Sequence, residues 1–138
     1  MIEHIEYARR WLGTPYIYGG NNPLEGMDCS GFVSWVLKAY GWMTFHQDLN
    51  AQGLYERFSR EGAISRSVVP GCLLFFGKDI KTITHVALAI DEKRMIECGG
   101  GDHTCSYKVA AARLGAMVRE LPIEHRCDLV TKVILPVL

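Results

Sequence analysis

The spacing of apolar residues in this chain changes at Pro70, and this change constrains the fold more than any other feature of the sequence. Before Pro70, apolar residues recur at helical spacing in three stretches, at about 2–12, 29–41 and 50–60. After it, short apolar runs between polar turns predict strands at about 72–76, 84–90, 94–98 and 129–135. Helices followed by strands predict an α+β domain in which the helices cover one side of an antiparallel sheet.

The length and composition are those of a single globular domain spanning 1–138. A chain of this length typically buries about two-thirds of its unfolded surface, which is enough for an ordinary core. Apolar residues make up 49% and charged residues 22% of the sequence, as is usual for soluble domains. The formal net charge is zero, so no basic field would draw the protein onto nucleic acid.

The sequence carries no recognisable export or membrane signal. Glu and Arg interrupt residues 1–13, whereas a secretory signal needs about 7–15 consecutive apolar residues. No apolar run approaches the ~20 residues of a membrane-spanning helix, so no membrane insertion is expected. We therefore expect a product that is cytoplasmic as synthesised. Its five cysteines, an odd number, favour free thiols over a disulfide framework.

Cys29 occupies the first turn of the second predicted helix. The preceding residues 16–27 are rich in Gly and Asn and predict a loop, and Asp28 then stands where an N-cap belongs. A thiol attacks as the thiolate, which the unpaired N–H groups and the positive dipole of a helix start favour. The same N–H groups would hold the oxyanion of an acyl-transfer intermediate. Cys29 is therefore a candidate nucleophile; the alternative is a thiol that fills space on the apolar helix face.

His85 is the candidate base for this nucleophile. It shares one face of its predicted strand with Ala87 and Ala89. Such small neighbours leave room for something to pack there, such as the helix that carries Cys29 or a substrate. The alternative is a structural histidine with satisfied hydrogen bonds.

Glu97 lies on the next predicted strand, and its face depends on the length of the hairpin loop. An odd loop, such as 91–93, places Glu97 opposite Ala87 or Ala89 and on the His85 face. In the nearer case Glu97 is a diagonal neighbour of His85 within side-chain reach. A carboxylate there would orient the imidazole and favour its charged form. The alternatives are that Glu97 is a solvated charge, and that His103 is the orienter.

Several motifs, taken in order, resemble those of the NlpC-type peptidases, a papain-like family that cleaves the peptide stems of bacterial cell walls. GTPYIYGG at 13–20 resembles the family's PY-x-W-GG loop, and DCSGFV at 28–33 resembles its nucleophile motif. PGCLLFF at 70–76 resembles its PGDLVFF strand, HVALAI at 85–90 the strand bearing its base, and MIE at 95–97 its third polar position. The resemblance runs over most of the chain.

The resemblance implies a fold and a catalytic set. The fold is papain-like α+β, with N-terminal helices packed on a C-terminal antiparallel sheet and the nucleophile at a helix N-terminus. Cys29 is implied as the nucleophile, His85 as the base and Glu97 as its orienter. The sequence departs from the family at three places: Glu97, where many members carry His and some carry Glu; Cys72, where Asp is usual; and Tyr18, where Trp is common.

The resemblance also implies a substrate class. Members of the family commonly hydrolyse the bond between D-glutamate and a diamino acid in peptidoglycan stem peptides, with no metal or organic cofactor. Tyr16, Asp28 and Ser30 would line the cleft near the stem peptide, and Tyr16 would also assist the oxyanion. With no signal in the sequence, delivery to the wall would come by another route, such as release or association with a phage. The alternative is that the protein acts on peptides in the cytoplasm.

Two other functions stay open. Cys98, His103, Cys105, His125 and Cys127 could bind Zn²⁺ in a structural module, although their spacing lacks the paired C-x₂₋₄-C of known zinc modules. The same fold could also serve amidase or acyltransferase chemistry, because an amine could intercept a thioester formed on Cys29.

Overall fold

The computed structural model describes residues 2–101, 111 and 114–138. Its helices are α1 (Glu3–Arg9), α2 (Cys29–Ala39) and α3 (Ala51–Glu61). Its strands are β1 (Asn21–Asn22), β2 (Gly26–Met27), β3 (Ala63–Ser65), β4 (Leu73–Gly77), β5 (Ile83–Ala89), β6 (Arg94–Gly99), β7 (Met117–Pro122) and β8 (Leu129–Ile134). A short 3₁₀ helix, Ile123–His125, follows β7 directly. Across these described residues, no helix has both the length and the apolar character needed to cross a membrane.

Six of the strands form one antiparallel sheet in the order β3-β8-β4-β5-β6-β7. Both α2 and α3 pack on β5, near the middle of this sheet. The predicted α+β class, with helices on an antiparallel sheet, is confirmed.

The sequence patterns miss both edge strands of the sheet. β3 has three residues, two of them exposed, and in β7 only Val118 is buried. Neither strand therefore shows the apolar alternation that marks a half-buried strand. The prediction of a plain loop at 16–27 is also wrong, because β1 and β2 pair there as a small hairpin. Strands of two residues are too short to leave a periodic pattern.

The helix predictions hold for α2 and α3 but not for the end of α1. Asn50 caps α3, where its side chain accepts a hydrogen bond from the N–H of Gly53 at 2.8 Å. α1 ends at Arg9 instead of at residue 12. The N–H groups of residues 10–12 bond to carbonyls three residues back, the 3₁₀ pattern that often tightens a helix end.

α2, the helix that carries Cys29, packs on the Val86 and Leu88 face of β5. The sequence had allowed for this helix on the opposite face, which carries His85, Ala87 and Ala89. Val86 and Leu88 face α2 and belong to the same apolar cluster as Phe32 and Val36 of that helix. These large side chains offer the helix more apolar surface to bury than the alanine face does. Of the two occupants expected for the His85 and alanine face, the helix that carries Cys29 is therefore wrong.

The alanine face of β5 is filled by side chains of neighbouring strands. Leu74 pairs across from Ala87, and Phe76 pairs across from His85. The Phe76 and His85 rings lie 5.5 Å apart between centroids. Ala87 thus makes room for Leu74 of β4, and Ile123 of the 3₁₀ helix packs in the same outer cluster.

Candidate active site

The start of α2 is fixed by the side chain of Asp28. Its Oδ1 accepts hydrogen bonds from the N–H of Gly31 at 2.7 Å and from the Ser30 hydroxyl at 3.2 Å. The N–H of Asp28 donates to the carbonyl of Gly20 at 2.9 Å, which ties the helix start to the preceding loop. A Cβ at Gly31 would lie 2.1 Å from that same carbonyl oxygen, so only glycine fits there. Cys29, the first residue of α2, therefore has a defined position.

The Cys29 side chain meets His85 across the end of the helix. Cys29 is half-buried and reduced, and its thiol lies within hydrogen-bonding reach of the His85 imidazole. His85 is 7% exposed. Its Nε2 is bound to Glu97, which leaves Nδ1 as the ring nitrogen for the thiol.

Glu97 lies beside His85 because the hairpin between β5 and β6 has an odd loop. The N–H of Ile90 donates to the carbonyl of Arg94, and residues 91–93 form the loop between them. The register pairs Leu88 with Ile96, and one further step places Glu97 opposite Ala87. The predicted diagonal arrangement is confirmed, since Glu97 Oε1 lies 2.9 Å from His85 Nε2.

The buried pair is charged. Burial lowers the pKa of His85, but hydrogen bonds and charges from Cys29 and Glu97 outweigh burial and raise it to about 9. Burial raises the pKa of Glu97, but His85 and Arg119 outweigh burial and bring it below its ordinary value. Protonated His85 therefore stabilises the folded protein fully below its unfolded pKa of 6.5, and this stabilisation is lost as the pH rises through about 9.

Arg119 is a member of this cluster that the sequence analysis missed. It stands opposite Glu97 on β7, and its Nε donates to Glu97 Oε2 at 3.1 Å. Arg119 lies on β7, an edge strand with one buried residue, so its sequence lacks the apolar alternation that would have predicted a strand. Without a predicted strand, Arg119 could not be placed beside Glu97.

The three residues implied as substrate contacts lie around the helix start. Tyr16 is 9% exposed, and its ring packs directly over the backbone of Gly101. Ser30 is buried and its hydroxyl is bound to Asp28. Burial raises the pKa of Asp28, against the opposing effect of hydrogen bonds from Gly31 and Ser30. Their contact with a substrate stays a prediction.

The late cysteines and histidines are dispersed in the described part of the chain. Cys98 is buried and donates to the carbonyl of Met27 at 3.0 Å, and burial raises the pKa of this thiol. Cys127 is exposed. His103 and Cys105 lie outside the described residues. Among those that are described, no three His, Cys, Asp or Glu side chains are grouped as metal ligands.

Comparison with known families agrees with the motif order. The model of the NlpC/P60 family matches residues 13–114. The chain belongs to the NlpC/P60 family. The resemblance to the NlpC-type family that was drawn from the sequence is thereby confirmed.

Two NlpC/P60 relatives come from Bacillus subtilis (strain 168). The chain is 29% identical to a gamma-DL-glutamyl hydrolase over 112 residues, 75% of this chain and 24% of the relative. It is 34% identical to the bifunctional muramidase/DL-endopeptidase CwlT over 93 residues, 66% of this chain and 27% of the relative. The chain thus spans about a quarter of the length of these relatives.

A solved structure matches nearly the whole chain. The NlpC/p60 domain of the peptidoglycan hydrolase SagA superposes with a TM-score of 0.66 and 25% sequence identity, covering 96% of each chain. The papain-like α+β fold expected from the sequence is therefore confirmed.

The charge state of His85 gives a first prediction. Replacing Cys29 with Ala removes a hydrogen bond and a negative charge that raise the pKa of His85, so its titration midpoint should fall from about 9 towards or below 6.5. The measurement is an NMR titration of the imidazole signals. His4, whose pKa burial lowers, is the internal control and should titrate alike in both proteins. An unchanged His85 midpoint would mean that the thiol does not act on the imidazole.

Cysteine reactivity gives a second prediction. Iodoacetamide at pH 7 should label Cys29 about tenfold faster than Cys127, because protonated His85 and the helix start favour the Cys29 thiolate. Cys127 is the matched exposed thiol, while Cys72 and Cys98 are buried and should react last. Peptide mapping by mass spectrometry gives the rates. In His85→Ala the advantage of Cys29 should disappear; equal labelling in the wild type would contradict the assignment.

Proposed function

We propose that this chain hydrolyses peptide bonds in the stem peptides of peptidoglycan through an acyl-enzyme on Cys29. The observation that carries the proposal is the placement of the Cys29 thiol beside His85, whose imidazole binds the buried carboxylate of Glu97. This is the nucleophile, base and orienter set that acyl transfer requires.

The first half of the reaction forms the acyl-enzyme. The Cys29 thiolate attacks the carbonyl carbon, and the charge that develops on oxygen is held at the start of α2. Asp28 takes up the N–H groups of Gly31 and Phe32, which leaves those of Cys29 and Ser30 for the oxyanion. The C–N bond then breaks as protonated His85 gives its proton to the leaving amine.

The second half of the reaction releases the product. His85, now neutral, takes a proton from a water molecule as its oxygen attacks the thioester carbon. The C–S bond breaks, the product leaves as a carboxylic acid, and the thiolate and the imidazolium are restored. Glu97 keeps the imidazole in one orientation through both halves.

The bond cleaved is the one between a D-glutamyl residue and the following diamino acid. The names of both Bacillus relatives support this choice, since one is a gamma-DL-glutamyl hydrolase and the other includes a DL-endopeptidase. In this proposal Tyr16, Asp28 and Ser30 surround the stem peptide next to the thiol. No metal or organic cofactor takes part in the steps proposed.

Cleavage of defined stem peptides tests the proposal. Cys29→Ala and His85→Ala should each lower turnover by about 10⁴-fold or more while the thermal melting curves stay cooperative. Cys72→Ser is the matched cysteine control and should keep activity within a few-fold, since Cys72 lies on the outer face near Ala89 and away from the thiol. Mass spectrometry of the products identifies the bond.

The same assay separates the alternatives. Product joined to an added amine, in place of free acid, would show acyl transfer instead of hydrolysis. Full activity in Cys29→Ala would refute the proposal altogether.

The identity of the orienter gives a further prediction. Glu97→Gln should lower turnover by about two orders of magnitude, because a neutral amide favours the wrong imidazole tautomer and charge. His103→Gln, a substitution of the rival residue, should have a much smaller effect. Steady-state kinetics on one stem peptide compares the two, and the reverse order would reassign the orienter to His103.

A further inference from the structure

Both carboxylate oxygens of Glu97 are bound, and the two partners lie on different strands. Oε1 meets His85 of β5 at 2.9 Å, and Oε2 accepts from Arg119 of β7 at 3.1 Å. The Glu97 side chain is 2% exposed, whereas the Arg119 side chain is 27% exposed. The carboxylate is therefore held between the imidazole and a cation that stays in contact with solvent.

Two glycines make room for this arrangement. A Cβ at Gly99 would lie 2.2 Å from Glu97 Oε2. Gly100 has φ +86, and a Cβ there would lie 3.0 Å from Arg119 Nη1. The carboxylate and the guanidinium thus pack directly on the backbone that follows β6, where any side chain would displace them.

Other ionisable groups near Glu97 do not bind its carboxylate as Arg119 does. Arg126 is close enough to feel the charges of Glu97 and Cys29, but its guanidinium is bound by Asp128 at 2.9 and 2.8 Å. Cys98 is buried behind Glu97 and holds its proton. Arg119 is therefore the one cation among the described residues with a hydrogen bond to Glu97 besides His85.

The difference between the two cations matters during turnover. His85 must give up its proton to a leaving amine, and at that moment it no longer neutralises the carboxylate beside it. A guanidinium cannot be deprotonated in proteins, so Arg119 keeps its charge throughout. A buried carboxylate left with no cation would be costly and would take up a proton.

We propose that Arg119 is a positioning residue of the active site, which holds Glu97 ionised and turned towards His85 by binding its second oxygen. This inference rests on the proposed function in that it assigns His85 and Glu97 a catalytic role. It goes beyond that function by adding a fourth member, on an edge strand, to the set of Cys29, His85 and Glu97.

The test compares Arg119→Gln with a matched arginine variant, Arg9→Gln. Arg9 also binds a glutamate of β7, since it pairs with Glu120, the residue that follows Arg119. Arg9 has no bond to Glu97. Arg119→Gln should slow alkylation of Cys29 at pH 7 by about tenfold, as for loss of one charged hydrogen bond. Arg9→Gln should alkylate as the wild type does.

Two further readouts separate positioning from a general loss of stability. The ¹³C carboxyl signal of Glu97 should titrate at higher pH in Arg119→Gln, because the hydrogen bond and charge of Arg119 lower the pKa of Glu97. In peptide cleavage, kcat should fall while KM stays constant. In a Glu97→Gln background, Arg119→Gln should add no further loss, since its effect passes through Glu97.

The outcomes are decisive for Arg119 whatever the substrate turns out to be. Wild-type alkylation and an unchanged Glu97 midpoint in Arg119→Gln would overturn the inference. If that variant does not fold, Arg119→Met decides in its place: a slower rate supports the role of Arg119, and a wild-type rate refutes it. Should the wild type fail to cleave stem peptides, the proposed function fails, while alkylation and titration still decide on Arg119.

Discussion

The register of the β5–β6 hairpin is the constraint on which the rest of the site depends. Side chains alternate along a strand, so a slip of one residue would turn Glu97 away from His85 and into the apolar layer beneath the helices. The three-residue loop that prevents this slip is closed by Asp91, whose Oδ1 accepts from the N–H groups of Lys93 and Arg94 at 2.8 Å each. A short polar turn, far from the thiol, thus determines which face of the sheet carries the carboxylate.

The sheet divides stability and chemistry between its two faces. The inner face buries α2 and α3, and the outer face carries His85 and Glu97. β5 contributes side chains to both faces, and its pairing with β4 shifts between Phe76 and Gly77. This irregularity lets Ile83 and Val86 both reach the inner cluster although they are three residues apart. His85 follows the shift directly, at the point where the strand comes level with the start of α2.

Local sequence patterns sufficed for those parts of the site whose geometry is local. The start of α2 at Cys29 follows from an N-cap and helical spacing, and the contact between His85 and Glu97 follows from strand alternation and one loop length. The sequence allowed α2 to pack on the His85 face of β5, whereas it packs on the Val86 face. Strand alternation defines two faces but does not indicate which one a helix covers. Arg119 was out of reach for another reason: it lies on a polar edge strand, and its partner is far away in sequence.

Three charges that alternate in sign follow the Cys29 thiol in the site. They are the His85 imidazolium, the Glu97 carboxylate and the Arg119 guanidinium. Isolated charges of this kind would be strongly disfavoured beneath the surface, whereas an alternating row with hydrogen bonds offsets much of the desolvation. The row is also open at its two ends, since Cys29 is half-buried and Arg119 reaches solvent. Its two most buried members therefore have a partner on either side, and moving one proton from His85 to a substrate leaves the carboxylate still paired with Arg119.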